Sequence, residues 1–260
     1  METQVKSSGS FRLTSFEKFI ELSRPWLLLC SFVFFALLNL WWLAIPAAVV
    51  TVLAGFVQMH DAMHNSLGLS KRVNEFVLTM SAMLLLKSGH AMRVTHLRHH
   101  GQCLGEDDPE GAPANWTLKQ VFINGPYHIF TLRSSSWRIS PATHRIQFIE
   151  TAITFLLLLA FIFIYYFTGS VIALVYWAAG FVLSSLMPFW ASYIPHHLAS
   201  RSPARLAAVK LARIWTPVIS SFAFHHLHHL YPKVPTVLLP KAAKELPEPG
   251  EDNHDHYHPH

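Results

Sequence analysis

Histidine dominates the residues of this chain that could do chemistry, with 18 copies placed very unevenly. HDAMH carries His60 and His64, HLRHH carries His96, His99 and His100, and HHLHH carries His225, His226, His228 and His229. The i,i+4 spacing of His60 and His64 puts both imidazoles on one helical face. His225, His228 and His229 repeat the spacing of His96, His99 and His100. Neutral imidazole is a good nitrogen ligand for iron and for zinc. One such cluster supplies part of a coordination shell, and several that converge could hold two metals. In YIPHHL a fourth pair, His196 and His197, follows a long apolar run, and one of them, with His196 favoured, could complete the shell.

Other polar residues invite plainer readings. His90, His128 and His144 have no comparable context and are expected in the core or at interfaces. Asp61 either orients an imidazole through its second ring nitrogen or bridges to a loop. Glu106, Asp107 and Asp108 read as a solvated turn. Cys30 and Cys103 have no paired spacing, so neither a disulfide nor a thiolate ligand is expected. The alternating histidines after Pro249 read as a disordered tail outside the active site.

Clusters so far apart in sequence need long elements to gather them. The composition says which kind: 52% of residues are hydrophobic and 13% charged, against roughly 25% charged in soluble domains. No charge falls between Pro25 and Met59 or between Thr151 and Pro195, and each run is longer than one bilayer crossing needs. Asn39, Trp41-Trp42 and Pro46 interrupt the first run, and Gly169-Ser170 the second. These breaks predict two helical hairpins, with spans of about 26–41 and 44–60, then 149–167 and 171–192. Phe76–Leu86 is too short to cross and suits a buried, interfacial or re-entrant piece, and about 211–224, carrying Arg213, suits an amphipathic helix.

Lys and Arg lie before Pro25, between Lys71 and Arg145, and from Arg201 onward, and neither hairpin turn contains one. With four spans all these regions share a face, which the positive-inside rule makes cytoplasmic. Both termini and every histidine cluster then fall on that side. The expectation is an all-α integral membrane protein of about four transmembrane helices with a cytoplasmic histidine-rich helical cap. Its parts are a cytoplasmic segment 1–24, a membrane domain 25–246 and a polar tail 247–260. A net charge of +5 is explained by basic loops. No nucleic-acid partner is expected, because no reader motif or continuous basic patch accompanies it. A transporter would show ionisable groups near mid-membrane or repeated broken helices, and neither is evident.

At HDAMH, HLRHH and HHLHH the chain resembles the membrane fatty acid desaturase and hydroxylase superfamily, with its HxxxH, HxxHH and HxxHH boxes. Its closer resemblance is to the carotenoid-modifying branch, the beta-carotene ketolases and related hydroxylases. DDPE after the second box, SYIPHHL and HHLHHLYPKVP carry that likeness over most of residues 50–240. The chain departs where His197 replaces an arginine and Thr236 a frequent tryptophan.

The resemblance implies two non-haem iron ions held by His60, His64, His96, His99, His100, His196, His225, His228 and His229. It also implies O2 as co-substrate and an external electron donor, ferredoxin-like or cytochrome b5-like. The chemistry implied is oxidation of an unactivated C–H bond in a long hydrophobic lipid, giving a hydroxyl, a ketone or a double bond. A carotenoid ring is the first expectation and an acyl chain the alternative, in a bacterial inner membrane among membrane lipids. No nicotinamide or flavin fingerprint is present, so electrons must come from a separate carrier. Arg93, Arg98, Lys241 and Lys244 could steer an acidic one, although basic-side topology explains the same charges.

Overall fold

The computed structural model describes residues 11–197, 203–212 and 216–246, and among these every regular element is helical. The N-terminal residues 1–10, the tail 247–260 and Arg213 lie outside the described residues.

The first helix, α1 (Ser15–Leu37), starts eleven residues before the expected span. Thr14 begins it with a capping box: Glu17 N–H donates to Thr14 Oγ1 at 3.2 Å, and Thr14 N–H donates to Glu17 Oε2 at 2.8 Å. Pro25, read as a boundary, lies inside the helix. Proline has no N–H to offer the carbonyl four residues back. Gln58 of the next helix supplies the missing donor, its Nε2 reaching the Glu21 carbonyl at 2.8 Å and that of Leu22 at 3.1 Å. A tertiary hydrogen bond therefore carries the helix across its proline.

Asn39, at φ 58°, turns the chain into α2 (Trp41–Met63). Small residues let the two helices approach, and Ala36, Ala44 and Ala48 are fully buried with Phe32 and Val52. Helices α1, α2 and Pro141–Thr168 are long and apolar enough to span a membrane. Ile172–Ser185 and Pro188–His197, bent by 43° at their junction, are long and apolar enough to make a fourth if the pair is one span. The bend replaces the straight helix expected to residue 192. Pro188 opens a π-helical turn to Tyr193, and Trp190 Nε1 caps the Leu183 carbonyl at 2.9 Å. An inserted turn of this kind is common at functional sites.

Between the two hairpins, α3 (Lys71–Leu84) and α4 (Gly89–Gln102) form a folded-back pair. Helix α3 descends beside α2. Asn74 Nδ2 donates to the Ala62 carbonyl at 2.8 Å, Ser81 Oγ donates to Gln58 Oε1 at 2.7 Å, and Leu84 and Leu85 press on Gly55. The tip at Leu85–Ser88 thus lies about 12 Å below the end of α2, at ~1.5 Å per residue. A Cβ at Gly89 would lie 2.9 Å from the Leu78 carbonyl oxygen, so glycine is needed for α4 to climb back against α3.

Two anchors hold the tip. Tyr176 Oη donates to the Leu84 carbonyl at 2.8 Å. Glu150, fully buried on α6 (His144–Thr168), accepts from Ser88 Oγ at 2.7 Å, Thr79 Oγ1 at 2.8 Å, the His90 amide at 3.1 Å and His90 Nδ1 at 2.8 Å.

The remaining elements are α5 (Leu118–Ile139), α7 (Ile172–Ser185), α8 (Ile194–His197), α9 (Pro203–Ala212), α10 (Thr216–Ala223), α11 (His225–Leu230) and α12 (Leu239–Glu245). Of the amphipathic helix expected near 211–224, the described residues show the end of α9 and the whole of α10, both helical, and 213–215 lie outside the described residues. Phe224, Leu227, Tyr231, Val234 and Leu239 form a second small core above the first. Asp61 at the end of α2 clasps it. The carboxylate accepts from the Thr236 hydroxyl at 2.6 Å and from its amide at 3.1 Å, while Lys233 Nζ reaches the His64 carbonyl at 2.9 Å.

Glu150→Leu strands buried donors on three residues and should cost about 3 kcal/mol or more. Glu75→Ala, at the more open end of the same network, should cost about 1 kcal/mol or less. The melting temperatures of the two purified variants in detergent check the ordering.

Candidate metal centre

Each histidine box sits where its helix ends against the others. His60 and His64 close α2, His96, His99 and His100 occupy the last turns of α4, His196 follows the π turn, and α11 consists almost wholly of the third box. Two groups result. His60, His64, His96 and His228 have ligand atoms within 4.8 Å of one another, and so do His99, Cys103, His196 and His229. His100 joins the first group, its Nε2 lying 3.0 Å from that of His228. His225 joins the second, with Nε2 at 3.2 Å from His196 and 3.1 Å from His229.

These distances test whether metals fit. The Nε2 atoms of His64 and His96 stand 2.8 Å apart. Nitrogen ligands about 2.1 Å from one ion, at right angles to each other, stand about 3.0 Å apart. The paired nitrogens are spaced as neighbours in a shared shell. The two clusters have the capacity for a di-metal site, and their histidines are consistent with non-haem di-iron.

Two carboxylates set the orientation of the rings. His96 Nδ1 donates to Glu110 Oε1 at 2.7 Å, and His99 Nδ1 donates to Asp108 Oδ2 at 2.7 Å. Each bond holds the proton on Nδ1 and leaves the Nε2 lone pair facing inward. Asp108 is buried and also accepts from the amides of Leu104 and Gly111, both at 2.9 Å. It is therefore no solvated turn, and the expectation for that acidic stretch fails at this residue. A methyl group on Gly111 would collide with the Asp108 carboxylate and approach His99 Nδ1 to 3.0 Å.

Burial, then neighbouring imidazoles, pushes His96, His228 and His229 well below the usual histidine range and His100 down to about 3. These rings are neutral at pH 7, as metal ligation requires. Burial works the same way on His99, but its hydrogen bond to Asp108 and the Glu110 charge outweigh it and raise the pKa. Burial opposes the charge of Asp108 too, yet His99 and the Gly111 and Leu104 amides hold its pKa low.

The other candidates separate. His197 is exposed, stacks on Tyr193 and donates from Nδ1 to the Tyr193 carbonyl at 2.8 Å, away from the clusters that His196 enters. His226 is exposed. His90 belongs to the Glu150 and Glu75 network, His144 stacks on Trp137, and His128 is buried edge-on to Trp116. Of the two readings of Asp61, the structure shows the loop bridge: it lies 3.7 Å from His60 Nδ1, beyond hydrogen-bond reach. Cys103, set aside as a ligand, Asp108, read as part of a solvated turn, and Glu110, noted only within DDPE, are the residues whose place at the site the sequence reading missed. Their signal was position, since thiol and acids follow the second box closely enough to fold back on it.

Fold and site define a class: a membrane-embedded, all-helical protein with two histidine clusters able to hold two metals. Residues 39–260 match the family described as fatty acid desaturase, and the chain belongs to that family. It is similar to a beta-carotene ketolase of Paracoccus sp. strain PC1, 26% identical over 240 residues, which are 84% of this chain and 89% of that protein. It is likewise similar to a beta-carotene ketolase of Paracoccus sp. strain N81106, 26% identical over 200 residues, 72% of either chain. No solved structure matches it.

Asp108→Ala, Glu110→Ala and Gly111→Ala should each lower metal affinity about 10–100-fold, read as metal retained per chain during chelator titration. Acid acts through the buried rings. Between pH 6.5 and about 3 the unfolded chain binds protons that folded His100 refuses, and His128, pushed by burial down to about 4, refuses them likewise. Through these two rings stability is therefore lost as pH falls through that window, whereas the raised pKa of His99 contributes the opposite slope as pH rises above 6.5. A melting-temperature series of the metal-free protein from pH 8 to 4 checks the sign.

Proposed function

We propose that the protein is an O2-dependent, non-haem di-iron enzyme that oxidises a carotenoid ring carbon, by hydroxylation or ketolation. His60, His64, His96, His100 and His228 would hold one iron, and His99, His196, His225 and His229 the other. The observation that carries the reading is the convergence of imidazole nitrogens to 2.8–3.2 Å in a chain whose relatives are named beta-carotene ketolases. When bound, such a pair of irons supplies activation of O2 and oxidation of a C–H bond.

The chain's own residues prepare that chemistry. Asp108 and Glu110 keep two imidazoles in the tautomer that offers Nε2. Asp61, through Thr236, locks the third box against the first. Burial of His64, His96, His99 and His228 keeps bulk water off the reacting centre. Electrons come from a separate ferredoxin-like or cytochrome b5-like carrier on the basic side of a bacterial inner membrane, which we take as cytoplasmic, with both termini. The family description itself favours a second reading, desaturation or hydroxylation of an acyl chain.

Expression of the whole chain in a bacterium that makes beta-carotene, beside His228→Ala, tests both. The expected result is a new oxygenated carotenoid by liquid chromatography and mass spectrometry, falling to background in the variant. Unchanged pigment with new unsaturated or hydroxylated acyl chains would replace the first reading by the second.

A further inference from the structure

The histidines of the two clusters fall mostly into i,i+4 pairs, the spacing that puts two side chains on one helical face. His60 and His64 at the end of α2 have ring centroids 5.1 Å apart, and His96 and His100 on α4 have theirs 4.8 Å apart. Both pairs serve the first cluster. His228 joins them as a single donor, its Nε2 lying 3.0 Å from that of His100. The second cluster contains one such pair, His225 and His229 on α11, with centroids 4.5 Å apart. His196 is its single donor, with Nε2 at 3.2 Å from that of His225. His99 has no histidine four residues away on its face of α4, so this cluster gathers four imidazoles and the first gathers five.

The residue four positions after His99 is Cys103. It caps the C-terminal end of α4 as His64 caps that of α2. Its sulfur and the ring nitrogens of His99, His196 and His229 lie within 4.8 Å of one another. Around one ion, a sulfur at about 2.3 Å and an imidazole nitrogen at about 2.1 Å stand roughly 3.1 Å apart at right angles and 4.4 Å apart when opposite. The group is therefore close to the size of a coordination shell. Cys30, by contrast, is exposed on α1.

We propose that Cys103 is a sulfur ligand of the second metal, giving each metal two i,i+4 pairs and one single donor. The inference rests on the reading of the clusters as a di-metal site and on no particular substrate. It makes the two ions unlike. The first would sit in a mostly buried set of nitrogens. The second would sit in a more open set, with His196, His225 and His229 half-buried, that includes a thiolate, the softer donor. Binding exchanges the thiol proton for the metal, and the proton passes to solvent. Burial and then the Asp108 charge push the metal-free thiol up to about 12, so thiolate at pH 7 reports the bond to metal.

The test uses the full chain in detergent, stripped of metal and reloaded without oxygen with cobalt(II), which takes the same donors. The expected result is two cobalt ions per chain and a sulfur-to-cobalt charge-transfer band in the near ultraviolet. Cys103→Ser and Cys103→Ala should lose that band and keep the visible bands of cobalt in the first cluster, whereas Cys30→Ser should keep both. In a chelator titration Cys103→Ala should release one ion about tenfold or more readily and hold the other as the unmodified chain does. Cobalt should also protect Cys103 of the unmodified chain from iodoacetamide, read by peptide mass spectrometry, and leave Cys30 as reactive as before. That measurement and the band decide even if the variants fail to fold. Two bound ions without the band would overturn the proposal, as would a band that survives in Cys103→Ser. Uptake of a single ion would overturn the di-metal reading itself, and the proposal with it.

Discussion

Lone pairs on neutral imidazoles repel one another when they face at about 3 Å, unless a cation lies between them. Nine histidines in this protein are gathered by segments as far apart as α2 and α11, and His64, His96, His100, His196, His225, His228 and His229 have ring nitrogens in that range. Much of the architecture answers that requirement. The spans deliver the first box and His196 to one end of the bundle, the α3–α4 pair returns the second box to the same level, and the small second core presses α11, which carries the third, down from above. The metals would then be structural as well as chemical, neutralising a crowding that the polypeptide alone bears at a cost. Burial first, and then the same crowding, keeps the pKa values of His96, His228 and His229 well below the usual histidine range, so no further proton is admitted.

Much of this was legible in the residues. Charge-free runs separated by Asn39 and Gly169 mark the hairpins because φ near +60° ends a helix, and both residues take it. Repeated HxxHH spacing marks ligands because it puts imidazoles on one face of α4 and α11. What the pattern concealed were boundaries decided by tertiary contacts. Pro25 reads as a stop until Gln58, on another helix, is seen satisfying the carbonyls that proline leaves open. Straight continuation through Pro188 reads as natural until the π turn appears, because hydropathy is blind to the direction of an axis.

The polar residues around the boxes were hardest to read, for a physical reason. An aspartate in a glycine-rich acidic loop looks solvated, and Asp107 and Asp108 are indistinguishable by type. Only the fold separates them: Asp107 pairs with Arg98 at the surface, and Asp108 turns inward to His99. Thr236 has an evident use here, because its hydroxyl and amide are the donors from which the Asp61 carboxylate accepts. Cys103 stands apart as a soft donor within reach of a set otherwise made of nitrogen.

The clasp between Asp61 and Thr236 joins residues 175 positions apart, and that separation orders biosynthesis. A chain inserted from its N-terminal end sets α1 and α2 in the membrane while the third box is still unmade. His60, His64, His96, His99 and His100 must wait as a half-shell, open on the side that α11 will cover. The clasp closes only after the last helices emerge from the ribosome. Any lasting hold on metal would thus come late, once the third box and Thr236 have been made.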